Sequence, residues 1–286
     1  MSSTKMRNEA FHAAGGLSTL EPAGVALFRA LDRQFLRWAE ACGAIEKRYP
    51  VLMRTADLAR FDYFRNFPQI AVCACGIAVS LQDHYAARTA PVTEVPSQHL
   101  ADADHVLAPA ACYNIYLDYQ DTALAAPLTV TTIAECHRNE AHYLGLARLR
   151  GFSMREIVCV GPADEVKRHV AGLKETVTRF LDRQGIPAEI ELASDPFFDR
   201  SSERALVSRL FPTKEELRYA GDVAVASFNF HRNFFGERCG ITFGGEPAFS
   251  GCVAFGVERW IHMMLQHYGE AARAMAALEA ALPRAA

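Results

Sequence analysis

The segment HRNEAHYLGLARLRGFSMREIV, from His137 to Val158, collects the residue types that phosphate chemistry needs. Arg138 and Glu140 stand two apart at the end of a predicted strand, so alternation would turn both side chains to one face. Beyond a loop, Arg148, Phe152 and Glu156 recur at spacings of four as the chain re-enters a sheet. A guanidinium can hold phosphate oxygens bidentately, an aromatic face can stack on a purine, and carboxylates can take an amine or a metal. A second candidate, GCVAFGVERW from Gly251 to Trp260, reads as an apolar strand running into a helix that starts near Gly256. Arg259 then falls in the first turn, where free amides and the positive end of the dipole also favour an anion. A single arginine on a strand is usually a solvated charge. The order and spacing of the whole set carry the reading.

These residues need a scaffold, and apolar periodicity supplies it. Residues 22–42 place Leu27, Leu31, Phe35 and Trp38 on one helical face, with Gly43 closing the segment. Residues 44–53 read as a strand interrupted by Pro50, suited to an edge. Thr129 to Arg138 alternates β-branched residues and Met154 to Gly161 gives a second apolar run, so the two predict a hairpin with a long connecting loop. Residues 162–184 form the clearest helix: Pro162 suits its first turn, Val166, Val170, Leu173, Val177 and Phe180 recur at threes and fours, and Gly185 follows. Strands are expected at 188–192, 222–230 and 239–243, and helices at 256–268 and 270–282. Residues 78–106 are mixed and polar, a short helix plus loops that could be an insertion. Strands followed by long helices without βαβ alternation predict an α+β fold on an antiparallel sheet.

Composition bounds the function. The chain has 286 residues, half of them hydrophobic, and no internal repeat or linker, so one domain over 1–286 is the expectation. A formal net charge of −3 with dispersed basic residues gives no broad cationic face for nucleic acid. No stretch reaches the roughly 18 apolar residues of a membrane span, and the first residues carry no apolar leader, which predicts a cytoplasmic protein. Eight cysteines in a chain too large to need staples read as thiols or metal ligands, and no CxxC pair suggests a zinc ribbon.

Arg138-x-Glu140, the loop, and Arg148-xxx-Phe152-xxx-Glu156 resemble motif 2 of class II aminoacyl-tRNA synthetases. Gly251 to Trp260 resembles motif 3, and residues 22–50 are similar to motif 1, which lies at the dimer interface of that class. The resemblance implies the class II fold, ATP with Mg²⁺, and a homodimer. Arg138, Glu140 and Arg259 would be catalytic. Arg148 and Phe152 would join them in binding ATP and the substrate carboxylate.

A narrower resemblance involves Cys112 in LAPAACYNIY, Glu156 and Cys252. These match the Cys, Glu, Cys zinc ligands shared by the atypical seryl-tRNA synthetases of methanogens and their shortened relatives, the amino acid:[carrier protein] ligases. Two thiolates and a carboxylate suit a catalytic Zn²⁺ with one position left for an amine. Cys136, beside His137 and Arg138, and Cys239 are the rival ligands. ASFNFHRNFFGERCGI, from Ala226, also looks like the ligases, with Ser227, Asn229 and His231 alternating along one strand. Asn229 is assigned to substrate or Mg²⁺, while His231 stands open between cleft and solvated face. The ligase resemblance implies activation of a small amino acid, glycine or alanine, and transfer to the phosphopantetheine thiol of a carrier protein. Lys167, Arg168, Lys174, Arg179 and Arg183 on helix 162–184 would dock that carrier or form a solvated face. No tRNA partner is expected, since no basic appendage or long helical hairpin is visible. The alternatives are a seryl-tRNA-synthetase-like enzyme or an inactive regulatory subunit on the same fold.

Overall fold

Seven strands make the sheet that carries the site: β1 (Ile45–Glu46), β2 (Leu128–His137), β3 (Gly151–Gly161), β4 (Ala188–Ala193), β5 (Lys214–Tyr219), β6 (Val223–Arg232) and β7 (Phe249–Gly256). Their order is β4-β5-β6-β7-β3-β2-β1, antiparallel throughout except for the parallel pair of β1 with β2. Seven helices are used below: α1 (Pro22–Ala41), α2 (Tyr113–Asp118), α3 (Ala163–Gln184), α4 (Glu203–Leu210), α5 (Phe234–Cys239), α6 (Val257–Tyr268) and α7 (Ala271–Ala281). The computed structural model describes residues 6–210, 212–221 and 223–281. Asp222, in the predicted strand 222–230, and Leu282, at the end of the predicted tail, lie outside the described residues, as do the ends of the expected 1–286 domain.

Alternation along the strands divides the sheet into two faces. Ile157, Val253, Phe255, Phe228 and Leu217 turn to α1, α3, α6 and α7, where they join the main core. Phe35 stacks on Phe255 at 4.5 Å and meets Trp260 edge-on at 5.0 Å, and Trp38 and Phe180 extend the cluster. Arg155, 1% exposed, also lies on this side of β3. It donates to both carboxylate oxygens of Asp32 on α1 (2.8 and 2.9 Å) and to Glu46 of β1 (2.8 Å). Those ion pairs fix the strand whose next residue, Glu156, faces the other way. Arg155 is buried while Asp32 and Glu46 are 23% and 49% exposed, so removing either carboxylate leaves a buried guanidinium only partly compensated.

Gly251 shows why motif 3 needs a glycine. A Cβ there would lie 2.8 Å from the Asn229 carbonyl oxygen and from Val166 Cγ1, and 3.0 Å from Val170 Cγ2. The missing side chain is what lets α3 seat on β7. Gly251→Ala is expected to lose about 1–3 kcal/mol of stability from overpacking, read as a lowered Tm.

The elements depart from the sequence expectations in several places, among them the unexpected helix Glu203–Leu210 and strand Lys214–Tyr219. Residues 44–53 are two short strands, β1 in the main sheet and Leu52–Arg54 in a separate three-stranded sheet with His105–Leu107 and Cys73–Ala74. Pro50, which has no N–H to donate, falls in the break. The strand expected at 239–243 is only Thr242–Phe243, because Cys239 ends α5 and Gly240, at φ 65°, closes that helix in the left-handed conformation. β3 starts at Gly151, three residues before the apolar run at Met154. Residues 78–106 hold the short helix Gln82–Ala86 among loops and two single 3-10 turns. No helix among the described residues is long and apolar enough to cross a membrane.

Candidate active site

A cavity of about 430 Å³ lies over the face of the sheet opposite the main core. Phe152 and Glu156 of β3, Cys252 of β7, and Ser227 and Asn229 of β6 line it. Register puts them side by side: Val158 pairs with Cys252, Glu156 with Ala254, and Asn229 with Cys252. Period-two alternation then turns the whole set one way.

At one end, the ligand atoms of Cys112, Glu156 and Cys252 all lie within 4.8 Å of one another, and all three residues are buried. Cys112 arrives on the loop that leads into α2. Glu156 ties that loop down, since its Oε1 accepts from the amides of Ala111 (2.9 Å) and Cys112 (3.3 Å). Asn229 Nδ2 donates to Cys252 Sγ (3.4 Å) and to Ser227 Oγ (3.0 Å), so Asn229 supports the sulfur. His231 Nε2 is 3.7 Å from the same sulfur, and its Nδ1 is 3.1 Å from the Tyr116 hydroxyl. Burial pushes the His231 imidazole down to about 4, which leaves it neutral near pH 7. It faces the cleft, not solvent.

The donor set fits a metal ion. A hydrogen bond with Cys252, then burial and the charge of Glu156, push the Cys112 thiol well up. For Cys252 the hydrogen bond with Cys112 pulls down, but burial and Glu156 outweigh it. Three groups that are anionic as ligands share one buried spot, and a divalent cation would supply the charge that offsets them. Among the described residues this is the one such Cys, His, Asp or Glu cluster. The rivals stand apart from it. Cys136 pairs in register with Phe152 and its sulfur turns to the Ala134 carbonyl (3.8 Å), while Cys239 is buried in the second core at the end of α5.

Arg138 and Arg259 line the cavity together with Arg204 and Arg232, and Arg148 stands on the adjoining loop. Arg138 Nε donates to the Pro109 carbonyl (3.0 Å), and its guanidinium sits 5.2 Å from the centre of the Phe152 ring. Arg259 donates from Nε to Ala147 O (2.9 Å) and from Nη1 to Ala224 O (3.0 Å). Burial first, then the positive charges of Arg138 and Arg148, hold Arg259 down to about 10. A bound anion would relieve mutual repulsion of that kind. The strand-alternation expectation for Arg138 and Glu140 needs correction: β2 ends at His137 and the chain turns, with Glu140 N donating to Arg138 O (3.1 Å). Glu140 still lines the cavity, and it pairs with Arg148 at 3.0 Å.

Glu258, next to Arg259, accepts from the Ser153 amide at 2.8 Å and is 7% exposed. Burial raises it from 4.5 to about 7. The folded protein therefore binds this proton more tightly than the unfolded chain, so stability from Glu258 is full below pH 4.5 and is lost as pH rises through about 7. The change amounts to about 3 kcal/mol. Glu258→Gln keeps the acceptor for Ser153 and is expected to flatten that slope in thermal unfolding between pH 5 and 8.

Several lining residues were not anticipated. Asp195 and Lys214 form an ion pair at 3.0 Å in the cavity wall, and Lys214 also meets Glu216 at 3.3 Å. The alternating charges of KEELRY, from Lys214, are the signal of a strand with one charged face. Phe61, Tyr63 and Phe67 come from a dense aromatic stretch, FDYFRNF. The basic residues of α3 are largely neutralised: Arg168 pairs with Glu165, Arg179 with Glu175, and Lys174 with Glu215.

Comparison with known proteins gives this geometry a context. Residues 97–268 match the model of the tRNA synthetase class II core domain (G, H, P, S and T). Amino acid--[acyl-carrier-protein] ligase 2 of Bradyrhizobium diazoefficiens is 34% identical over 240 residues, which is 78% of this chain and 70% of that protein. The type-2 serine--tRNA ligase of Methanopyrus kandleri is 26% identical over 192 residues, 60% of this chain and 36% of that protein. The M. kandleri SerRS structure, solved with A. aeolicus tRNASec, superposes with a TM-score of 0.77 at 21% identity, over 89% of this chain. This chain spans about half the length of that synthetase, 54%. The core-domain match and the extent of the ligase match are the basis for the assignment: the chain belongs to the amino acid--[acyl-carrier-protein] ligase family, built on the class II aminoacyl-tRNA synthetase core.

Proposed function

We propose that this protein activates a small amino acid, glycine or alanine, with ATP and passes it to the phosphopantetheine thiol of a carrier protein. The observation that carries the reading is the meeting, in one cavity, of the Cys112, Glu156 and Cys252 cluster with Arg138 and Arg259. Zn²⁺ held by the three ligands would offer a Lewis-acidic position for the amine. Arg138 then takes the carboxylate, and Arg259 and Arg148 take the triphosphate, whose charge Mg²⁺ shares. Phe152, with Arg138 over its ring, offers an apolar wall for the purine. A carboxylate oxygen attacks the α-phosphorus, pyrophosphate leaves, and the aminoacyl adenylate stays bound. The carrier thiol next attacks the carbonyl carbon, and AMP leaves as the thioester forms. The protein's contribution is positioning and fixed positive charge.

Small substrates suit the metal end. Behind Cys252 stand His231, Tyr116 and Phe235, the last two stacked at 3.8 Å. At the cavity edge, α4 carries exposed Leu206, Val207 and Leu210, with exposed Phe198 on the preceding loop. That row offers an apolar landing for a carrier and its arm. The homodimer would form through α1 and β1, where Ile45 is exposed. A cytoplasmic setting agrees with the free thiols.

The test is amino-acid-dependent ATP–pyrophosphate exchange across the standard amino acids, followed by incubation of radiolabelled substrate with carrier protein or tRNA separately. Exchange with glycine or alanine and label on the carrier thiol are expected. Absence of exchange in folded, metal-loaded protein would overturn the reading. Label on tRNA would move the chain to the seryl-tRNA-synthetase reading that its similarity to the type-2 serine--tRNA ligases keeps open.

A further inference from the structure

Tyr63 begins the helical turn Tyr63–Asn66 and is 2% exposed, yet its hydroxyl oxygen is buried without any hydrogen-bond partner. A buried O–H left unpaired costs about 1–3 kcal/mol. Among the described residues that line the cavity it is the one fully buried side-chain polar atom without a partner, which points to a ligand acceptor. Tyr63 lines the same cavity as Cys112 and Arg138. Its ring meets Tyr113 edge-on, with centroids 6.1 Å apart, and Tyr113 directly follows Cys112 in the chain. Arg138 lines the same cavity, and its positive charge acts on the phenol. Tyr63 therefore stands beside the span between the cysteine that would hold the amine and the arginine that would hold the carboxylate.

We infer that Tyr63 is a substrate-binding residue whose hydroxyl donates to the carboxylate of the amino acid, beside Arg138; this rests on the amino-acid-activating reading of the cavity. Burial pushes the phenol up to about 12, so the proton is present throughout the neutral range and the group is a donor. The neighbouring guanidinium repels an ammonium and attracts a carboxylate, which selects the acid end of the substrate.

The experiment compares Tyr63→Phe with the parent, the metal-loaded protein being used throughout. Pyrophosphate exchange by the parent is measured first, because its absence would overturn the activation reading and this inference with it. The variant removes an unpartnered oxygen, so its Tm without ligand should equal or exceed the parent's. The KM for the amino acid should rise about tenfold, the loss expected for one charge-assisted hydrogen bond, with the KM for ATP unchanged. Amino-acid-induced stabilisation of the folded protein should weaken in parallel, a readout independent of turnover. An amino acid KM within about twofold of the parent's overturns the inference. So does a rise confined to the KM for ATP, which would put the hydroxyl on the nucleotide, or a lowered Tm with unchanged KM, which would make it a structural group.

Discussion

Replacing Cys252 by serine is expected to abolish zinc binding at the proposed site and to lower amino-acid-dependent pyrophosphate exchange by about three orders of magnitude or more, roughly 4 kcal/mol. The size of the effect follows from the donor set. With Cys252 gone, Glu156 and Cys112 remain, and Glu156 already spends Oε1 on the amides of Ala111 and Cys112. Two protein donors hold zinc weakly compared with three. The fold should survive, because serine is nearly isosteric and Asn229 Nδ2, 3.4 Å from the sulfur, can donate to a hydroxyl as well. Metal analysis and a thermal melt on the same sample separate the two effects. Cys136→Ser and Cys239→Ser are the controls: both are buried, neither belongs to the cluster, and both should keep the metal. A strong chelator should reproduce the loss of exchange in the parent, with recovery on adding zinc.

The hairpin that brings Arg138 and Glu156 together is legible in the sequence because β-branched alternation and a long apolar run leave few other conformations for those residues. Helix α3 is legible for the same kind of reason: one face of Val166, Leu173, Val177 and Phe180, a proline before it and Gly185 after it. Pattern strength fails where tertiary partners decide. Lys214–Tyr219 becomes a strand because β4 and β6 flank it, although its polar sequence gives only a charge alternation. FFGERC forms helix α5, and Gly236 lets that helix pass close to Ala248, since a Cβ there would lie 2.2 Å from the Ala248 oxygen.

Site residues follow the same division. Cys252, Asn229 and Glu156 share a face because alternation within each strand is combined with the register of three paired strands, and only the alternation can be counted along the chain. Cys112 joins them only through a loop whose amides are held by Glu156, a contact between residues 44 apart that no local pattern encodes. Glu140 reaches Arg148 across a loop instead of along a strand. Tyr63 carries no motif at all, and only the accounting of buried polar atoms in three dimensions exposes it.

Arg259→Lys is expected to cut kcat by about 10²–10³, or 2.7–4 kcal/mol, while raising the KM for ATP. Charge is conserved in this change, so the loss must come from geometry. Two of the arginine's nitrogens are already committed, Nε to Ala147 O in the motif 2 loop and Nη1 to Ala224 O on β6. These contacts aim the rest of the guanidinium and also pin the loop that carries Arg148. A lysine ammonium can satisfy at most one of those carbonyls from its position on α6, and it cannot clamp a phosphate bidentately at the same time. The loop would lose an anchor, and Arg148 with its partner Glu140 would be held less firmly. A merely structural arginine would give a lowered Tm and a near-normal kcat in the surviving folded protein. A phosphate-holding arginine gives the opposite balance, with a modest drop in stability and a large drop in exchange that saturating ATP does not restore. Exchange rates at saturating ATP, set beside a melt of the same preparation, distinguish the two, and a kcat within about threefold of the parent's would remove Arg259 from the chemistry.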